Sequence, residues 1–375
     1  MIAVESPCGC DAAHGAAGVS ISRRTALAAS ISAVVAGAAL GTSARGSAAP
    51  PPNAPALPQD ALVTLGVQAG PPPVPNKTGV SSTLKVGGDA YQIDCGLGSL
   101  NAFANAGFRF DDLKSLFITH LHTDHIVDYY SFFLSGGYTA SPGKAPVTVY
   151  GPGPAGGLPP SRVGNPDPAT VDPGNPTPGL AATSDALLRA FAYTSNIFIR
   201  DMGTDDIQSL IDVNEIVVPP GSDSLNRAPR VDPFPVMSDD NVDVTATLVS
   251  HYDVYPAFGF RFDLKHSGVS VTFSGDTTKS DNLIRLAADT DILVHEAQFS
   301  LDDAYYDNRF PPDYLVNSHT SAEQVGEVAA AAGAKHVVLS HYSPTDLPDS
   351  QWLDAIGKHY SGRITVARDG QVFAL

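Results

Sequence analysis

Residues Phe117 to Asp128 read FITHLHTDHIVD, and three of the chain's 11 histidines fall within this stretch. In an extended segment the side chains of His120 and His122 point to the same side. Asp124 and His125 follow where the chain turns into a helix. Four donors in so short a span converge on two adjacent points rather than one. Imidazole nitrogen and carboxylate oxygen are the ligand types that Zn²⁺ prefers. The run just before them, LKSLFIT, is apolar and of strand length, so the donors stand at the end of a buried strand.

The same placement recurs three times. His251 follows VTATLVS, Asp276 follows VSVTFSG and His341 follows HVVLS. Ligand sites of open α/β sheets lie off the carboxyl ends of strands, so the four segments can meet at one edge. Five histidines and two aspartates suffice for two metals with three protein ligands each and one shared carboxylate. Such a set leaves coordination positions for water, as a catalytic site requires. Any one of these histidines alone would read as a satisfied interior or surface residue. The string and its matching strand ends together read as a metal centre.

Around these points strands alternate with helices. Strands are expected at LKSLFIT, APVTVYGPG, VDVTATLVS, GFRFDL, GVSVTFS, DILVHEAQ and KHVVLS. TDHIVDYYSFFLSGG has helical spacing with Gly136 and Gly137 as its stop, and SDALLRAFAYTSNIFIRD is helical as well. SAEQVGEVAAAAG is a helix with Ser318 or Thr320 as N-cap and Gly333 as C-terminal stop. Residues 151–178 are dominated by Pro, Gly and Asp, and the range 151–240 reads as an inserted loop or cap. Two successive strand-rich halves, each with helices, fit an α/β sandwich rather than a barrel.

Composition sets further limits. The net charge is −17, with no Lys/Arg cluster, which argues against nucleic acid or an anionic membrane as partner. The first 49 residues carry the pair Arg23-Arg24, an uncharged run from Thr25 to Leu40 and small residues at Ala48 and Ala49. They read as a twin-arginine signal peptide, too short and too rich in small residues for a stable membrane span. The twin-arginine export machinery is then a partner, and the mature protein is periplasmic or secreted, folded around its cofactor before export. Residues 50–60 form a Pro-rich tether, and 61–375 the catalytic domain. Cleavage near Ala49 removes Cys8 and Cys10 and leaves Cys95, so the mature fold has no intramolecular disulfide.

The H-x-H-x-D-H string, with His251, Asp276 and His341, resembles the signature of the metallo-β-lactamase superfamily. That resemblance implies an αββα sandwich from about Ala61 to Leu375. It also implies that His120, His122 and His251 hold one metal and Asp124, His125 and His341 the second, with Asp276 bridging. The opening LGVQAGPPPVPNKTGVSSTLKVGGDAYQIDCGLGS, then HYDVYPAFGFRFD, LVHEAQF and NSHTSAEQVGEVAAAAGAKHVVLSHYSP, resemble the ribonuclease Z and arylsulfatase-like branch. On that match Glu296 and His319 either support the metal ligands from behind or handle protons beside the metals. The acidic charge and the missing basic arm depart from the tRNA-processing members.

The implied chemistry is hydrolysis of a small-molecule phosphodiester, sulfate ester or related ester by a hydroxide formed on two Zn²⁺ ions, or other divalent metals. Asp124 orients or deprotonates the water, and His319, held by Glu296, protonates the leaving oxygen. Competing readings are an iron-dependent oxidoreductase or dioxygenase on the same fold, a lactonase or lactamase-type hydrolase, and a non-catalytic metal-binding protein of the envelope. His295, His266, His336 and His359 read as structural. Tyr129, Tyr130, Phe132 and Phe133 read as core. Tyr252, Tyr255 and Phe258, with Tyr305, Tyr306 and Phe310, are candidates for an apolar leaving-group pocket, and Arg200 and Arg261 for anion contacts. The oligomeric state is open, a homodimer being one option.

Overall fold

β1 (Ala61–Gly66) is buried on both faces and shows how the layers arise: Leu62 faces a core shared by two sheets, while Val63 and Leu65 face a separate outer core. A computed structural model describes residues 56–375 other than 163, 166, 308 and 312; the signal segment 1–49 and tether residues 50–55 lie outside the described residues. The first sheet continues through β2 (Ser81–Val86), β3 (Asp89–Ile93), β4 (Leu113–Phe117), β5 (Val147–Pro152) and β6 (Ile211–Ile216). The second runs, in spatial order, from β7 (Phe234–Ser238) through β8 (Val242–Leu248), β9 (Phe258–Leu264), β10 (Ser270–Phe273), β11 (Ile292–Gln298) and β12 (His336–Ser343) to β13 (Arg363–Val366). The last strand, β14 (Gln371–Ala374), returns to pair antiparallel with β1, which gives each sheet seven strands.

Helices cover both outer faces. On the first sheet α1 (Ser99–Asn105), α2 (Thr123–Ile126), α3 (Tyr129–Leu134) and α4 (Leu180–Ala190) precede α5 (Ala192–Met202). Phe103, Tyr129, Phe132, Phe133 and Leu180 bury there against the strands. On the second sheet α6 (Asp281–Leu286), the short α7 (Tyr314–Ser318), α8 (Ala322–Ala332) and α9 (Asp349–Gly357) follow. Between the sheets Phe117 packs edge-on against Phe260 and Phe262, with ring centroids 5.5 and 5.0 Å away. Each such buried ring contributes roughly 1.5–3 kcal/mol. The architecture is the expected αββα sandwich.

Strand direction positions the site. β3 to β6 run parallel, and β10 to β13 run parallel. β9 is antiparallel to both β8 and β10, so β8, β10, β11 and β12 all end at one edge.

Three expectations need correction. The range 151–240 is not all insertion. β6 pairs in register with β5 along its whole length, and β7 forms the outer edge of the second sheet. β7 carries Pro235, which an edge strand tolerates because it lacks a ladder donor. The helical stretch after His122 is two helices, α2 and α3, parted at Asp128, whose carboxylate accepts the Gly98 N–H (2.8 Å) and whose N–H donates to the Cys95 carbonyl (3.0 Å). The N-cap of α8 is Ser321 rather than Ser318 or Thr320. It forms a capping box with Gln324, while Gly333 ends the helix in the left-handed conformation as expected.

Candidate metal centre

Each donor stands where a strand gives out. β4 ends at Phe117, and the extended residues after it place His120 and His122 before Asp124 and His125 open α2. The Phe258 N–H donates to the Thr119 carbonyl (3.0 Å), joining the two sheets at this point. His251 follows β8 and Asp276 follows β10. His341 is different: it lies inside β12, with φ +50°, where Ser340 and His341 together oppose Glu296 of β11. A bulge of this kind re-aims a side chain that a regular strand would send elsewhere.

The side chains meet in two sets. The potential ligand atoms of His120, His122 and His251 lie within 4.8 Å of one another, and so do those of Asp124, His125 and His341. Asp276 stands between them. Its Oδ2 is 4.0 Å from His120 Nε2 and 3.7 Å from His251 Nε2; its Oδ1 is 3.4 Å from His125 Nε2 and 3.2 Å from His341 Nδ1. All but the half-buried His122 are buried.

Proton positions follow from the partners behind the donors. A backbone carbonyl only accepts, so His251 Nδ1–H donates to Ser318 O (2.8 Å) and leaves Nε2 as a lone pair. Asp94 performs this service twice. It accepts the His125 Nδ1–H (2.8 Å) and the Thr119 hydroxyl (2.8 Å). Thr119 Oγ1 is then free to accept from His120 Nδ1 (3.1 Å). Both imidazoles turn bare Nε2 atoms toward the site.

The set fits divalent metal ions. His120 Nε2, His125 Nε2, His341 Nδ1 and Asp276 Oδ1 are buried without a protein hydrogen-bond partner, and all four face the space around Asp276. Unpaired buried polar atoms are costly, and two cations sharing Asp276 would account for all four. His251 Nε2 and His122 Nδ1 face each other at 3.1 Å, a geometry two lone pairs adopt around a cation. Burial and neighbouring imidazoles hold His120 well below the usual imidazole range, and burial takes His251 to about 3. Burial also opposes protonation of His125, but Asp276, Asp94 and Asp124 outweigh it and raise its pKa. Burial would raise the Asp124 and Asp276 carboxyls, yet the surrounding histidines keep both ionised. Neutral imidazole and ionised carboxylate are the forms that bind metal, so His125 would give up its Nε2 proton to an ion.

His319 and Glu296 lie beside this cluster. His319 Nδ1 donates to Glu296 Oε2 (3.2 Å), and Glu296 Oε1 accepts the Thr320 N–H (2.8 Å). The His319 ring is 5.1 Å from that of His251, close enough that His319 forms a further donor group with His251 and Asp276. Burial works against its protonation, and the Glu296 carboxylate more than offsets this.

The remaining sequence candidates divide clearly. His295 Nδ1 donates to the Glu296 carbonyl (2.6 Å), and His336 Nε2 bonds Thr365 Oγ1 (2.9 Å). His266 and His359 are exposed. Tyr129, Tyr130, Phe132 and Phe133 are core, as is Phe258. Arg261 spends its donors on Asp263 and the carbonyls of Leu286 and Ala288, so it does not serve as the expected anion contact, and Arg200 sits exposed on α5. Sequence reading passed over Asp94, Thr119 and Tyr314. Asp94 had a usable signal, since it too is a polar residue at a strand end, immediately after β3.

A cavity of about 30 Å³ lined by Asp94, His125, Asp276, His295, Ser340 and His341 lies behind the donors. Small-molecule sites are typically about ten times larger or more, so this cavity is too small to hold a substrate.

Comparison with known proteins gives a consistent picture. The profile of the Beta-lactamase superfamily domain matches residues 187–342, and that of the Anti-Pycsar protein Apyc1 matches residues 78–148. The chain is 27% identical over 312 residues to ribonuclease Z of Mycobacterium bovis (strain BCG / Pasteur 1173P2), covering 82% of this chain and 95% of that protein. It is 29% identical over 310 residues to ribonuclease Z of Mycobacterium avium (strain 104), with the same coverage of both. Among solved structures it is similar to human tRNase Z, short form (TM-score 0.56, 21% identity, 84% of this chain and 98% of that one). It is also similar to the metallo-β-lactamase fold protein YhfI of Bacillus subtilis (TM-score 0.55, 16% identity, 84% and 99%). The fold is the metallo-β-lactamase fold.

Proposed function

We propose, from the premise that the chain is a metal-dependent hydrolase of the metallo-β-lactamase superfamily, that it is an exported dinuclear zinc enzyme. Its substrate is a small phosphodiester, sulfate ester or related ester. The observation that carries this reading is Asp276, whose two oxygens each face a separate donor set. A phosphodiester is favoured because relatives named ribonuclease Z match over 82% of the chain. A small substrate is favoured because a net charge of −17 repels a long polyanion. Export rests on the Arg23-Arg24 segment. Among the described residues no helix is long and apolar enough to cross a membrane.

In this reading His120, His122 and His251 hold one ion, Asp124, His125 and His341 the other, and Asp276 both. Bound there, a divalent pair supplies Lewis acidity and a nucleophilic water at neutral pH. Asp124, kept ionised by His125 and His341, orients that water and accepts its proton. His319, its Nδ1–H fixed on Glu296, presents Nε2 to the leaving oxygen as proton donor.

Metal analysis of the purified protein, combined with assays on aryl phosphodiester, aryl sulfate, lactone and lactam substrates, tests this. Two zinc ions per chain and fastest turnover of the phosphodiester are expected. Near-stoichiometric iron without hydrolysis of any of the four overturns it.

A further inference from the structure

The geometry points to a recognition subsite for a flat aromatic ring, formed by Tyr252 and Tyr314 at the mouth of the metal centre. The enzyme's substrate is accordingly an ester whose leaving group is an aromatic alcohol. This rests on the hydrolase reading above and names the substrate class for it.

Tyr252 directly follows His251 and has φ +46°, a conformation rarely adopted by a bulky residue. It is held there by its N–H, which donates to the Asn317 carbonyl of α7 (2.8 Å). Residues kept in such regions cluster at ligand clamps and active sites. The twist brings the Tyr252 ring to 5.0 Å from that of Tyr314, inclined at 63°. Tyr314 is itself backed by Phe310, stacked at 5.5 Å and 7°, and its ring lies 6.0 Å from His319. Both tyrosines are only half-buried, so each keeps an open part.

The Tyr252 ring is also held from outside. The Arg162 guanidinium lies 4.7 Å from the ring centroid and pairs with Asp253 through two nitrogens (2.6 and 2.9 Å). Arg227 reaches the same carboxylate (3.1 Å). Two loops from separate parts of the chain therefore converge on the residue next to Tyr252 and fix its ring.

Placement beside His319 assigns the subsite to the leaving group. The oxygen of water bonds to phosphorus, the bond from phosphorus to the aromatic alcohol breaks, and that oxygen takes its proton from His319. A ring attached to this oxygen then lies against Tyr314 and Tyr252, where offset or edge contacts are favourable.

Calorimetric titration of the zinc-loaded protein with phenylphosphonate and methylphosphonate tests this without turnover. Wild type is expected to bind the phenyl compound about tenfold more tightly, as one aromatic contact would provide. Tyr314→Ala and Tyr252→Ala should each reduce that preference to roughly threefold or less, while Tyr314→Phe keeps it. Hydrolysis gives a second readout: Tyr314→Ala should raise KM equally for 4-nitrophenyl methyl phosphate and bis(4-nitrophenyl) phosphate. A rise for the second substrate alone would put the ring on the other ester arm and overturn the assignment. Equal affinity for both phosphonates in wild type, or a preference that survives both alanine variants, overturns the subsite. A protein that shows the preference but hydrolyses no ester keeps the subsite and loses the hydrolase reading; one that hydrolyses esters without the preference does the reverse.

Discussion

The two donor sets on either side of Asp276 are made of different materials. His120, His122 and His251 are imidazoles alone, and burial keeps all three neutral. The opposite set includes the Asp124 carboxylate and a His125 crowded by three acids. The first is open to solvent at His122, whereas the second is buried throughout. Their support differs as well. His125 is held directly by Asp94, His120 reaches Asp94 only through Thr119, and His251 relies on a backbone carbonyl. The contrast teaches that the sets are coupled twice, in front through Asp276 and behind through Asp94. Charge is concentrated on one side and access on the other.

Removing the front coupling should have the largest effect. Asp276→Ala takes a carboxylate from both sets, so both ions should bind far more weakly and kcat/KM should fall on the order of 10³-fold. Metal content by mass spectrometry and near-UV circular dichroism separate this from unfolding. Full activity with both metals retained would mean that the sets do not share this carboxylate.

Removing the back coupling should be milder and lopsided. In Asp94→Asn the amide NH₂ that replaces an oxygen cannot accept from His125 Nδ1. The proton is then driven to Nε2, the atom that faces Asp276. The Asp124/His125/His341 set should lose about 10–100-fold in metal affinity, and the imidazole set less, because Thr119 stands between. A competing chromophoric chelator that resolves two binding steps measures this. Equal losses in both steps would erase the contrast.

Much of this centre is legible in the sequence. The His120, His122, Asp124, His125 spacing and the strand-end positions of His251 and Asp276 follow from strand geometry and the carboxyl-edge rule. The sandwich followed from two strand-rich halves. What stayed hidden has physical causes. Asp94 bonds to the donor side chains without joining either set, so no ligand spacing marks it. His341 owes its direction to a bulge, which depends on the register between β11 and β12. β6 and β7 escaped because edge strands expose alternate residues and tolerate Pro235, and so resemble loops in composition. Tyr314 lies on a five-residue helix too short to show a period.

Thr119→Val makes the smallest and most discriminating change. It preserves shape, removes the hydroxyl between Asp94 and His120, and leaves the direct bond from His125 to Asp94 in place. Loss of one buried hydrogen bond should lower stability by about 1–2 kcal/mol. His120 would lose the acceptor that fixes its tautomer, so the imidazole set should bind its ion several-fold more weakly while the mixed set changes little. The asymmetry is then opposite to that of Asp94→Asn. Because Asp94 acts on His120 through Thr119, the double variant should cost the imidazole set no more than the larger of the two single changes. Simple addition of the two losses would instead show that Thr119 and Asp94 support the histidines independently, leaving Asp276 as the sole link between the sets.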